Sequence, residues 1–189
     1  EDSQIRIAVQ YYDSIKDIPM QAKSYYYLGC IWRDKDKHPE ALKEFFKAIT
    51  YSKKANDNKL TGYIYNNIAN IYLSQRLHEQ ADSIYQITEK LAIQEKDSNL
   101  WADVLSQRGM IDINRGKKYY DEAEQKILTA FKISCHIAQK SMIAKTAYSL
   151  SLLYGRMNMG EKAVKFAKLN IINQDNPNVA YRDFLILGE

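Results

Sequence analysis

The chain has 189 residues, 27 basic against 23 acidic, and a net charge of +4, too mild and dispersed to argue for nucleic acid on electrostatics. No apolar run approaches the ~20 residues that span a bilayer, and 7 Gly with 3 Pro are few for a turn-rich β-protein. Cys30 and Cys135 lie far apart, outside any CxxC pattern, and read as two free thiols.

Periodicity and capping residues predict helices over 3–16, 20–34, 39–55, 58–74, 77–96, 98–115, 119–140, 142–157, 160–173 and 177–187, with no strand and no dividing linker. Pro39 and Pro177 suit first helical turns, where a missing N–H costs nothing. Asp57 and Ser98 suit N-caps, their side chains accepting from exposed backbone donors.

In chain order, the first stretch carries Ala8, Tyr12 and Ile15 at spacings of four and seven. Next come Tyr25, Leu28, Gly29 and Trp32, then Ala41, Phe45 and Ala48. The pattern returns as Tyr65, Ile68, Ala69 and Tyr72, then Ala81, Tyr85 and Thr88. Gly29 and Ala69 are 40 residues apart, as are Ala41 and Ala81. A third copy has Leu105 and Gly109, then Ala123, Ile127 and Ala130. It is degenerate, with Arg108 and Asp112 at expected apolar positions and a loop, GKKYYDE, two residues longer. A fourth has Ala147, Leu150, Ser151 and Tyr154, then Ala163 and Ala167; Phe184, Leu187 and Gly188 begin another.

This arrangement, aromatic-x2-Leu-Gly-x2-aromatic followed by Ala-x3-Phe-x2-Ala, resembles the tetratricopeptide repeat, in a long-period form found in bacterial regulatory and sensor proteins. The resemblance implies an all-α fold, an α-α superhelix of antiparallel helix pairs. It implies one array over 1–189: a partial repeat 1–19, repeats near 20–57, 58–97, 98–141 and 142–176, and a partial repeat 177–189. Small residues at 29, 69, 109 and 151 let paired helices approach. The 40-residue period exceeds the usual ~34, so longer second helices are expected. The chain starts inside one repeat and stops inside another, so the natural protein is expected to continue and exposed end repeats to offer self-association.

Catalytic constellations are scarce. His38 and His78 are 40 apart, with Tyr120 at the corresponding place, so they read as rings packed at the turn between helices. Nothing has metal-ligand spacing, and no phosphate loop, HExxH or nucleophile elbow is present. The expectation is a non-enzyme with no cofactor and no metal.

The resemblance implies a concave groove lined by the first helix of each pair. Its residues here are Lys23, Tyr26, Cys30 and Arg33; Tyr63, Asn66, Asn70 and Leu73 or Ser74; Ser106, Met110 and Asn114; Lys145, Tyr148, Leu152 and Arg156. This set mixes tyrosines, asparagines and four cations with no carboxylate. Asn matches a peptide unit's donor and acceptor, so the expected partner is a protein or extended peptide, acidic or with a free C-terminus, and no nucleic acid. In the stretch YNNIANIY, Asn66, Asn67 and Asn70 are all expected outside the core. Asn67 and Asn70 are common in this family; Asn66 is extra. Chaperone-tail clamps of the family place Lys and Asn, then Asn, then Lys and Arg at positions held here by Tyr26 and Cys30, Asn67, then Asp103 and Gln107, so only Asn67 fits. Alternatives are a sensory or regulatory segment of a larger bacterial signalling or transcription-regulating protein, a helical-repeat RNA binder, or a glycan binder using Tyr26 and Tyr148. The resemblance tips localisation toward the periplasm over the cytoplasm.

Overall fold

A computed structural model describes residues 2–174, and among them every regular element is helical. The order is α1 (Asp2–Ile15), α2 (Ile18–Asp34), α3 (His38–Lys54), α4 (Asn58–Ser74), α5 (His78–Gln94), α6 (Ser98–Arg115), a 3-10 turn (Lys117–Tyr119), α7 (Tyr120–His136), α8 (Lys140–Arg156) and α9 (Gly160–Asn173). The expected helix 177–187, with Pro177, Phe184, Leu187 and Gly188, lies outside the described residues.

The period comes from helices of 17 residues, in both members of the α2/α3 and α4/α5 pairs, joined by three-residue turns. The extra length is therefore shared, and the expectation of longer second helices alone is corrected. Every connection between described α-helices except that from α6 to α7 has one left-handed residue: Lys16, Asp36, Asn56, Arg76, Lys96, Ala138 and Asn158 all have φ between 53° and 61°. The following N–H reaches back to close the helix end, as Lys37 N does to Trp32 O at 2.9 Å and Leu77 N to Tyr72 O at 2.9 Å. No glycine occupies these positions, although a left-handed L-residue costs about 1 kcal/mol.

The turns into α2, α4 and α6 carry an aspartate cap, whereas the turn into α8 has Gln139 there with no side-chain cap hydrogen bond. Asp17 accepts from Met20 N at 3.1 Å, Asp57 from Leu60 N at 2.8 Å and Asp97 from Leu100 N at 3.0 Å. Ser98 is thus the first helical residue, and Asp97 takes the capping role expected of it. The expected helix 119–140 is shorter: Gly116, at φ 109°, lets the chain break after α6, and α7 ends at His136 before the left-handed Ala138.

The chain forms two compact units, Glu1–Lys96 and Asp97–Glu189. In the first, the buried Phe45 ring packs on Gly29, and Tyr25 stacks on Tyr51 with centroids 5.5 Å apart. In the second, buried Ile127 packs on Gly109, and Tyr154 stacks on Phe166 at 5.6 Å. Deep in the second unit, Asp112 is buried yet ion-paired with Arg115 at 3.0 Å and with Lys126, which explains a charge at an expected apolar position.

Candidate functional site

In the first unit the expected groove face lies on α2 and α4. Lys23 is exposed; Tyr26, Cys30, Arg33, Tyr63 and Asn70 are partly exposed. Asn67, 6% exposed, ties the two helices together. Its Nδ2 donates to Tyr63 O at 2.8 Å and to Tyr26 Oη at 3.5 Å, and its Oδ1 accepts from Arg33 Nη1. Arg33 also pairs with Asp34 at 2.7 Å. The side chain that fitted a ligand clamp thus works inside the protein.

The expectation that all three asparagines of YNNIANIY avoid the core is corrected. Asn66 is 8% exposed and counts with Asn67 among the buried polar side chains. Asn70 stays at the surface but accepts a 2.5 Å hydrogen bond from Tyr85 Oη, whose ring is fully buried. A phenol too large to hide without a partner is satisfied by the amide one helix away. Asn70 is therefore part of the α4/α5 packing as well as the groove face.

The groove face of the second unit, on α6 and α8, is more closed. Ser106 has no exposed surface and shares a 3.3 Å hydrogen bond with Ser149, so its place in a contact surface is corrected. Met110 packs against the cluster of Ile127 and Leu150. Tyr148 is exposed and Arg156, also exposed, donates to Ile113 O at 3.2 Å. Lys145 pairs with Asp103, so a carboxylate lies on a face expected to have none. Register would have found it, because Asp103 stands 40 residues after Tyr63.

Burial first, then the neighbouring Cys30, pushes the Tyr26 phenol well above its usual range. Burial also raises the Cys30 thiol, against the opposing pull of Arg33. His38 and His78 open α3 and α5, half-buried at the turns. Among the described residues no three His, Cys, Asp or Glu side chains converge as metal ligands, and no helix is long and apolar enough to cross a membrane.

No protein-family model and no curated protein matches the chain. Solved structures do. One is the crystal structure of BtubC (BKLC) from P. vanneervenii, with a TM-score of 0.78 at 16% identity, covering 99% of this chain and 77% of that one. Another is the apo form of RapI, with a TM-score of 0.84 at 14% identity, covering 99% of this chain and 52% of that one. This chain therefore spans about half the length of RapI. At these identities the likeness shows the fold, an all-α helical repeat.

Proposed function

We infer that the chain is a non-catalytic binding scaffold of the tetratricopeptide type, in its long-period bacterial form. Its first-helix faces hold an extended peptide segment of a partner protein. The observation that carries this is the surface of α2 and α4. Tyr26 and Arg33 are held in place by the Asn67 amide while Lys23 stays exposed beside them. Such pre-positioned aromatic and cationic groups bind with little further ordering cost.

The ion pairs of Arg33 with Asp34 and of Lys145 with Asp103 neutralise two of the four groove cations. On the face of the first unit Lys23 is left to favour an acidic or C-terminal peptide. The test is selection of a random peptide library on the purified protein. Selected peptides should be acidic or terminate in the library, and Lys23→Glu should abolish their binding without altering helicity. Selection of basic peptides, or binding indifferent to Lys23→Glu, would remove this reading.

A second reading, a sensory or regulatory segment of a larger protein, draws on the 52% share of RapI that the chain spans. It requires an effector domain or membrane segment encoded in the same reading frame.

A further inference from the structure

Three residues connect α2 to α3, α4 to α5 and α8 to α9, whereas four, Gly116, Lys117, Lys118 and Tyr119, connect α6 to α7. The chain leaves α6 at Gly116 with φ 109° and ψ −179°, a conformation open in practice to glycine alone. A Cβ there would meet nothing within 4 Å, so open space surrounds the connection on that side. It carries no carboxylate, and Lys117, Lys118 and Tyr119 are all exposed.

Two arginines converge on it. Arg156, exposed at the end of α8, donates through Nη1 to Ile113 O at 3.2 Å, the carbonyl that also accepts from Gly116 N at 3.3 Å. Among the described residues Arg156 forms no ion pair, and its Nε and Nη2 are left to donate. Arg115, anchored by Asp112 at 3.0 Å, has its Cζ 6.0 Å from the centre of the Tyr119 ring, and Lys118 Nζ lies 5.8 Å from the same centre. Both arginines also suit the negative end of α6. Lys117 and Lys118 lie beyond that end and form no ion pair among the described residues. Two guanidinium groups fixed by the fold thus stand beside two ammonium groups that the fold does not use.

We propose that the connection 116–119, with Arg115 and Arg156, docks a carboxylate-rich segment of a partner protein. Guanidinium forks match carboxylates, and the lysines add point charge. The extent of the patch favours a short acidic segment over nucleic acid. Asp121 and Glu122 stand in the first turn of α7, directly beyond Tyr119, and repel a phosphate chain, whose charge runs without interruption. The Tyr119 ring already faces two cations, which a stacking base would have to displace. The site lies wholly in the second unit and shares no residue with the α2 and α4 face.

The test titrates a fluorescein-labelled peptide, a run of glutamates in a Gly-Ser frame, into the intact chain at physiological salt, read by anisotropy. Saturable binding is expected, weakened at least about tenfold by Lys117→Glu with Lys118→Glu. Lys165→Glu with Lys168→Glu, an equal charge change at exposed positions of α9, should alter it less than about twofold, because distant charges are screened. Repeating the titration in a Lys23→Glu chain removes the α2 and α4 face; the loss caused by the loop lysines should persist, so the two sites fail separately. Circular dichroism of the loop variant should match the parent, and Lys117→Gln with Lys118→Gln should give a smaller loss in the same direction. Absence of saturation, or equal loss from the loop and α9 pairs, overturns the proposal. So does tighter binding of an oligothymidylate, or of phosphatidylserine vesicles, that the loop variant abolishes, since either gives the loop to another class of partner.

Discussion

Gly29 and Gly155 both sit in α-helices, so replacing either by alanine should help the helix by up to about 1 kcal/mol. Their surroundings differ. A Cβ on Gly29 would lie 2.6 Å from Cδ1 and Cε1 of Phe45, well inside contact distance. Phe45 has no exposed surface and its ring neighbours Tyr26, so it has little room to retreat. Overpacking of this kind costs about 1–3 kcal/mol. A Cβ on Gly155 meets nothing within 4 Å. Gly29→Ala should therefore be less stable than Gly155→Ala by roughly 1–3 kcal/mol, a melting difference of about 2–10 °C for a chain this size. Urea and thermal unfolding followed by circular dichroism measure it. Pairing Gly29→Ala with Phe45→Leu should recover part of the loss, since the shortened side chain frees the space. If both alanine variants gain stability equally, the close approach of α2 and α3 does not govern packing in the first unit.

Three further outcomes follow from particular contacts. Asn70→Ala should cost about 1 kcal/mol in urea unfolding, because it removes the Oδ1 that accepts the 2.5 Å hydrogen bond from Tyr85 Oη; an unchanged unfolding midpoint would contradict that. Ala138→Gly should raise stability by about 0.5–1 kcal/mol, since φ of 53° strains alanine and suits glycine; a loss on thermal melting would contradict that. In thiol labelling at mildly alkaline pH, exposed Cys135 should react before Cys30. Burial raises the pKa of both thiols, so both rates should climb as pH rises through the usual thiol range; a faster Cys30 would refute the packing described for it.

Much of the fold was legible because repetition is a property of sequence. The small residues at 29, 69 and 109 and the alanines 12 or 14 positions later mark the helix pairs by spacing alone. Element ends were less legible. Ser98 and Asp97 are adjacent capping residues, and only geometry shows which one accepts the backbone N–H. The left-handed turn residues are Lys, Asp, Asn, Arg and Ala, so the usual glycine signal for a helix stop was absent. The candidate site was legible in position and not in availability. Helical register placed Ser106, Asn66 and Asn70 on first-helix faces, but neighbours on other helices decide which atoms stay free. Ser149, Tyr85 and Asp103 lie 15 to 43 residues from the groups they engage, beyond any local pattern.

The central claim is that a peptide lies along the first-helix face of α2 and α4. Titrating a library-selected peptide into isotope-labelled protein, with backbone amide shifts followed by NMR, tests it most directly. The account predicts that the largest shifts in the first unit gather on the α2 and α4 face bearing Lys23, Tyr26, Arg33, Tyr63 and Asn70. Shifts concentrated instead on the outer faces of α3 and α5, around Phe46 and Ile87, would contradict it.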